Sequence, residues 1–581
     1  MRPMRRIRRI VVGALFVFSV VACWLWWVKP KQVDMAQYAP ADSLVYLESN
    51  RPLEVGESIA RTDVWKDLET LTGHQDHSRR HRWLQQLVAW TGIGPIQSVI
   101  LARAQLAIVV TQLGTSEEAD TLRVKPEGAA IIETHTAESR IRSPVEQVLK
   151  RLAEMTYKKP TLRRTTVDGV DFIEWIAPEG GRQIVAAIFG SLIIVGNSEP
   201  AVQKCLAVTL HRQPSLKQDS ELERMRVQLG GDQSLTFGYI PAGNSARLLS
   251  VGVPLMLGRA ARDSQFEHLI TASAPKLFGS IGWSSHPYMM GVEDRYLISL
   301  QSTIVAQLKP YFFGSSKINP QFQAILPADI HSVTYYKFGN PVATWQNLKT
   351  SISSQVDAVS AIVFASLLKS ALLPYGIEEP EKFLAAVSGD ILTMRLDENG
   401  EHAVLIASVR DRPSLRELAT SKLLKNVRSV RVGKAEIIED SDGEFAVGFI
   451  NEYVVLGPPL DVRRCAENAI ANVTMLSDEK LRRMTLFVPL STSANIVTYT
   501  NDADRVRRFV SAVVAVGGAR PTNSGAIEQM IEALPYSATE TTLGERGFER
   551  TTRSPLGQFS TLLPLLVPEE PSPVTNSSQA K

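Results

Sequence analysis

Pro40-Ala41-Asp42, leading into Leu44-Val45-Tyr46-Leu47, returns in the second half of the chain as Pro327-Ala328-Asp329, leading into Val333-Thr334-Tyr335-Tyr336. Further segments recur in the same order. Arg142-Ser143-Pro144-Val145 is followed by Arg412-Pro413-Ser414-Leu415, Gly196 by Gly457, and Val202-Gln203-Lys204-Cys205 by Val462-Arg463-Arg464-Cys465. Asp219, Leu222, Arg224 and Met225 return as Asp478, Leu481, Arg483 and Met484 without a gap. A period close to that of a whole domain indicates tandem duplication, not a short-repeat solenoid. The expected fold is therefore α+β: two tandem modules, residues 38–308 and 324–563, with mainly antiparallel sheets and packed helices.

Local patterns fill in the first module. Leu44/Tyr46 and Val45/Leu47 alternate as a strand does. A helical pattern spans Trp65 to Trp90, strands follow at Gln105–Thr111 and Ala129–Thr134, and a helix is predicted from Pro144, where a missing N–H is harmless in a first turn. Asp168-Gly169 between β-branched runs signals a hairpin over Thr165–Ile176, and Gly190-Ser191 a second over Ile184–Val195. Asp219 is placed to cap the helix carrying Leu222 and Met225. A strand at Leu235–Ile240 and a hairpin over Gly279–Ser302 close the module. In the second, Ile391–Leu396, Ala403–Val409, Ala435–Glu439 and Tyr453–Leu456 read as strands. Apolar residues at 345, 348, 352, 356, 359, 363 and 367 make one face of a single helix near Ala343–Leu372, expected to be an ordinary core face.

The N-terminal stretch is of another kind. Arg2, Arg5, Arg6, Arg8 and Arg9 precede Ile10 to Val28, IVVGALFVFSVVACWLWWV, which carries no charge. That is close to the ~20 apolar residues a membrane-crossing helix needs. Arginines before it predict a cytoplasmic N-terminus (1–9), a transmembrane signal anchor (10–28), a spacer (29–37) and a body outside the cytoplasm. Trp24, Trp26 and Trp27 fall where aromatic rings favour headgroups. A competing reading takes Val20-Val21-Ala22-Cys23 as a lipobox with Cys23 lipidated, although Trp24-Leu25-Trp26-Trp27 follows where lipoproteins turn polar. Residues 567–581 are Pro- and Ser-rich and predict a disordered tail. Without the five N-terminal arginines, 58 basic residues face 60 acidic ones, a net of −2, so no nucleic-acid-binding surface is indicated.

Chemistry is sparse. There is no G-x-S-x-G turn, H-E-x-x-H, P-loop or Cys-x-x-Cys, and no catalytic residue or cofactor is assigned. Ser366-Leu367-Leu368-Lys369 fits S-x-x-K but lacks a K-T-G partner and lies in a helical pattern. His74, His77 and His81 share a helical face and are the candidate zinc ligands, opposed by Arg79, Arg80 and Arg82 and without a counterpart in the second module. Cys205 and Cys465 are expected to fill apolar slots on their own helices, a bridge between them being the alternative. Asp42 and Asp329 are the shared acids, expected to cap backbone N–H groups of a turn rather than to bind a ligand.

The anchor, the Pro-Ala-Asp-x-x-x-Tyr segment and this element order resemble a group of uncharacterised bacterial envelope proteins, a domain of unknown function that opens with a Pro-Ala-Asp-Ala-type segment. Ile330-His331 after the second Asp departs from that pattern. The resemblance implies a bacterial, membrane-anchored, periplasmic protein and supplies no catalytic residues. The expected function is a non-enzymatic binding or structural envelope component whose partner is a protein, lipid or cell-wall component. A lipid-handling module with an apolar groove and an unrecognised envelope hydrolase are the alternatives.

Overall fold

The computed structural model describes residues 32–71, 103–118, 121–157, 159–245, 247–248, 272–289, 291–312, 322, 324–327, 329–398, 400, 402–420, 427–440, 442–471, 494–517 and 524–561. The segment 10–28 with Cys23, the histidines 74, 77 and 81, Asp478 to Met484 and the tail 567–581 lie outside them.

The protein is a mixed α+β structure built on one 20-stranded antiparallel sheet. Numbered along the chain, the first ten strands lie side by side as β4 (Thr161–Val167), β5 (Val170–Ile176), β6 (Gln183–Phe189), β7 (Leu192–Gly196), β3 (Thr121–Glu133), β2 (Gln105–Glu118), β1 (Val45–Ser49), β8 (Thr236–Ile240), β9 (Phe278–Tyr288) and β10 (Gly291–Leu300). The sheet continues from β10 into β20 (Gly547–Ser554), β19 (Ser537–Leu543), β18 (Ile496–Thr500), β11 (Ser332–Lys337), β12 (Val387–Arg395), β13 (Ala403–Val409), β17 (Tyr453–Gly457), β16 (Ala446–Ile450), β15 (Ala435–Glu439) and β14 (Arg428–Val432). Read outward from the β10–β20 seam, both sides have the same strand order.

The registers agree residue by residue. Tyr46 lies opposite Tyr239 in the first half, and Val333 opposite Tyr499 in the second. The residue matching Tyr46 is therefore Val333, two positions before the Tyr335 that the sequence pairing suggests, on the same strand face. From the first residues of β8 and β18, Thr236 faces Ser285, which faces Asp294, while Ile496 faces Thr541, which faces Arg550. Asp294 and Arg550 thus hold matching positions, as do their successors Arg295 and Thr551. Arg295 and Thr551 also lie directly opposite each other across the seam. A position that pairs with its own counterpart marks a local two-fold axis.

Helices cover both faces. They are α1 (Pro52–Arg61), α2 (Asp63–Leu71), α3 (Glu138–Tyr157), α4 (Glu199–Thr209), α5 (Ser220–Leu229), α6 (Ser302–Leu308), α7 (Pro341–Ser353), α8 (Ala358–Ser370), α9 (Pro380–Ala386), α10 (Arg412–Leu418), α11 (Pro459–Ala471), α12 (Ala503–Gly517) and α13 (Ser524–Glu532). Each half has its own main core. Tyr46, Val109, Ile131, Phe172, Cys205 and Met225 pack in one, and Phe322, Val333, Tyr335, Val404, Cys465 and Tyr499 in the other. Two smaller clusters cross between halves: Val64 meets Phe509, Ile527 and Ile531, and Leu348, Ile352 and Phe364 meet Leu277, Ile304 and Leu308.

The hairpins form as expected, with Asp168 and Gly169 both at positive φ (57° and 78°), the combination a two-residue type I′ turn requires. Asp219 caps α5, its Oδ1 accepting from Glu221 N–H at 2.9 Å. Other expectations change. Helix α3 starts at Glu138, so Pro144 stands inside it rather than in its first turn. The long helix over Ala343–Leu372 is two helices, broken where Asp357 accepts from the N–H groups of Val359 and Ser360 and starts α8 anew. Its apolar stripe is not one core face: Leu348, Ile352 and Val356 pack, whereas Val359 is 58% exposed and Val363 and Leu367 are only half-buried. The expected spacer 29–37 is shorter as well, because Met35 and Ala36 are fully buried in the first core.

Gly196 and Gly457 end β7 and β17, each pressed against a neighbouring strand. A Cβ at Gly196 would lie 2.7 Å from Gly128 O and 2.8 Å from Val202 Cγ2, and one at Gly457 2.8 Å from Ala403 O. Backbone cannot yield as a flexible side chain can. Gly196→Val is expected to destabilise by roughly 2–4 kcal/mol, measured as a lowered urea midpoint, with Gly457→Val doing the same.

Candidate functional site

Among the described residues, a buried polar cluster sits at the seam. Alternation along β10 sends Val292, Asp294 and Tyr296 to one face and Glu293, Arg295 and Leu297 to the other. On the first face Asp294 accepts from Ser285 Oγ (2.5 Å) and from the backbone N–H of Gln558 (2.8 Å), which follows β20. The Gln558 amide donates to Thr236 Oγ1 (3.0 Å) and to Ser285 Oγ. Burial pushes the Asp294 carboxyl up, the two hydrogen bonds resist it, and the nearby carboxylates Asp502 and Glu293 add to it, leaving it at about 6. Asp502, just before α12, is also raised by burial against the pull of Arg505 and Ser537. Neither acid has an open side: Asp294 is 3% and Asp502 5% exposed.

On the opposite face Glu293 takes Arg295 Nε at 2.8 Å and, across the seam, Arg553 Nε at 2.7 Å. Burial would raise the Glu293 carboxyl, but the bonds from Arg553 and Arg295 outweigh it and hold it below the usual range. The Arg553 guanidinium also lies 4.8 Å from the ring centre of Tyr288. At the other end of β20, Arg546 bridges Gln228 (3.0 Å) and Glu221, tying α5 to the β19–β20 hairpin.

A second buried node lies at the start of the described chain. Arg226 on α5 donates to Glu48 Oε1 (3.0 Å), Glu223 Oε2 (3.0 Å) and Asp34 Oδ1 (3.2 Å), and Tyr46 Oη donates to Glu48 Oε2 at 2.6 Å. Burial raises Glu48 despite Arg226. Ser284 and His286 give a Ser–His contact of 2.9 Å, yet Ser284 is fully buried and its hydroxyl donates to the Leu229 carbonyl at 2.8 Å. His286 Nε2 is 3.0 Å from the same carbonyl, and burial lowers its pKa. This pair satisfies the C-terminus of α5 and has no access to a substrate.

The two halves repeat some of this polar furniture. Lys204 Nζ reaches Asp42 Oδ2 at 2.9 Å, and Arg464 reaches Asp329 Oδ1 at 2.5 Å. Each Pro-Ala-Asp carboxylate is thus bound to the cation beside a helix cysteine, where a cap on the turn's N–H groups was expected. Both acids are well exposed, so each pair contributes no more than about 1 kcal/mol. Buried Glu174 and Glu439 hold matching strand positions, opposite Arg163 and Arg428. Glu174 is paired with Arg163, whereas Glu439 takes Arg463 of α11 in a two-pronged bond, 2.6 Å each.

Cys205 and Cys465 are free and fully buried, in separate cores, and burial pushes both thiols up to about 12. Neither is a nucleophile and the alternative bridge is not formed. Ser366 and Lys369 lie on α8, away from both nodes. The sequence patterns missed the seam cluster. Its one trace is the adjacent acid pair Glu293-Asp294 inside a strand otherwise rich in apolar and aromatic residues.

No protein-family model matches the chain, nor does any curated protein or solved structure.

The seam carries a pH signature. A carboxyl raised above its unfolded value of about 3.9 binds more protons folded than unfolded. The stability it contributes is full below that value and is lost as pH rises through about 6. Asp294→Asn is expected to remove on the order of 2 kcal/mol of this pH dependence. Urea titrations at low and neutral pH check it: the difference between the wild-type protein and the variant should shift in the variant's favour as pH rises.

Proposed function

We propose that this chain is a membrane-anchored, extracytoplasmic envelope protein whose body is two duplicated α+β modules serving as a binding or structural scaffold rather than as an enzyme. The observation that carries the location is the uncharged run Ile10–Val28 behind five arginines. Matching strand orders on the two sides of the seam, the paired Gly196/Gly457 and Cys205/Cys465, and the repeated Lys204–Asp42 and Arg464–Asp329 contacts support the duplication. The non-enzymatic reading is supported by the closure of the polar nodes: Asp294, Asp502, Glu48 and Ser284 are buried and bonded internally, so none faces a substrate.

A second reading, handling of an apolar ligand, is favoured by the exposed Val359 and Ile362 on α8. The stretch Ala358–Tyr375 is apolar enough by composition to cross a bilayer yet lies in mid-chain and is 11% buried. Lipid recovered by mass spectrometry from the purified body, and lost in Ile362→Glu, would favour it over a protein-binding scaffold.

The anchor is tested by expressing the full chain and the chain without residues 1–31. The full chain is expected to stay in membranes after carbonate washing, with its body open to protease added outside the cytoplasm. The shortened chain is expected to be released and folded. Cys23→Ser should leave membrane retention and palmitate labelling unchanged; release of that variant would replace the transmembrane anchor with a lipid anchor.

A further inference from the structure

We propose that one end of the first half's sheet, where β1 leaves, β2 enters and β6 turns into β7, rests on the bilayer surface, held there by a tether too short for the body to turn away. The proposal rests on the membrane-anchor reading above and adds the orientation of the body and the surface that meets the lipid.

The chain is fixed from Val33 onward. Its N–H donates to Gln105 Oε1 and its carbonyl accepts from Gln105 Nε2, both at 2.8 Å. Gln105 is itself 1% exposed and also donates to Asn50 Oδ1 at 2.7 Å. The next residue, Asp34, accepts from Arg226 and from Ala36 N–H, Met35 and Ala36 are buried, and Tyr38 Oη reaches Glu133 at 3.4 Å. Between Val28 and Val33 stand only Lys29, Pro30, Lys31 and Gln32. Fully extended, the five residue steps from Val28 to Val33 reach at most about 18 Å. The headgroup layer on one side of a bilayer is roughly 5–8 Å deep, so Val33 lies no more than about 13 Å beyond it.

The strand registers say what surrounds Val33. Ser49 lies opposite Leu106, Gln105 opposite Glu133, Glu133 opposite Leu192, and Leu192 opposite Phe189. These residues form one row across the same end of the sheet. Phe189 is 40% exposed there, at the β6–β7 turn, and the N-terminus of α3 joins the row, with Glu138 accepting from Gly190 N–H at 2.9 Å. Arg103 and Arg140 are exposed on the same end, as is Arg51, whose charge is matched by Glu54. The acids nearby are already engaged: Glu138 and Asp171 by Arg142, and Glu54 by Arg51. An exposed aromatic ring among arginines suits a headgroup layer containing anionic lipid.

The test uses the full chain reconstituted into vesicles of phosphatidylcholine with about one quarter phosphatidylglycerol, in a Cys23→Ser background. One fluorophore is attached at Ala137→Cys, at the proposed contact end, and in a second sample at Glu179→Cys, in the turn between β5 and β6. The two sites are a strand length apart, roughly 20 Å. Nitroxide-headgroup lipid is expected to quench the Ala137 label several-fold more than the Glu179 label. A flexible Gly-Ser insertion between Pro30 and Lys31 should abolish that difference without releasing the protein. Flotation with the vesicles is scored separately: a chain that does not float has lost the anchor reading itself. A chain that floats with equal quenching at both sites, or with stronger quenching at Glu179, overturns the orientation alone.

Discussion

Among the described residues, the pairing of β10 with β20 is the one backbone ladder that joins the two halves of the sheet. Everything that couples them follows from its register. A slip of one residue would exchange the two faces, putting Asp294 under the ion pairs and Glu293 under the apolar cover of Leu235 and Phe559. A slip of two would keep the faces but separate Glu293 from Arg553 and Asp294 from Gln558. Apolar cover alone could tolerate the second slip. The polar contacts do not.

That division of labour explains why the seam is polar while the flanks are not. The apolar clusters on either side, around Phe509 and Ile531 and around Ile304 and Leu308, supply the non-directional part of the attraction. Glu293, Arg553, Asp294 and Gln558 supply direction. Burying such groups is stabilising only where each charge meets its partner, because an orphaned buried charge costs several kcal/mol. The seam is therefore better described as a specification of alignment than as a reservoir of stability. Arg226 does the same for the start of the described chain, gathering Asp34, Glu48 and Glu223 into one node and fixing the 3₁₀ turn Met35–Tyr38 against the sheet.

Local signals in the sequence were legible where local physics decides the outcome. Asp168-Gly169 fixes its turn because both residues take positive φ, Asp219 caps its helix, and Gly196 and Gly457 recur because a neighbouring backbone leaves no room for a Cβ. The strands predicted at Gln105, Ala129, Ile391 and Ala403 form, and the mixed α+β class follows from them. What was not legible depends on long-range contacts. No local pattern says that the strand bearing Glu293-Asp294 will pair with one more than two hundred residues away, so the seam cluster was invisible. The break before α8 was missed because the apolar spacing runs straight through Asp357, whose capping bonds end the periodicity. The Pro-Ala-Asp carboxylates were legible as structural, but their partners, Lys204 and Arg464, become neighbours only in the fold.

The self-paired position at the seam has a further consequence. Two identical copies of the first half, meeting through β10 as separate subunits, would set Arg295 against Arg295 on the axis, and like charges directly opposite each other in adjacent strands repel. Asp294 would likewise recur on both sides of that axis. In the single chain the second half carries Thr551 against Arg295, and Arg550 at the position matching Asp294. Covalent linkage thus permits an asymmetric joint that a symmetric dimer of the first half could not form.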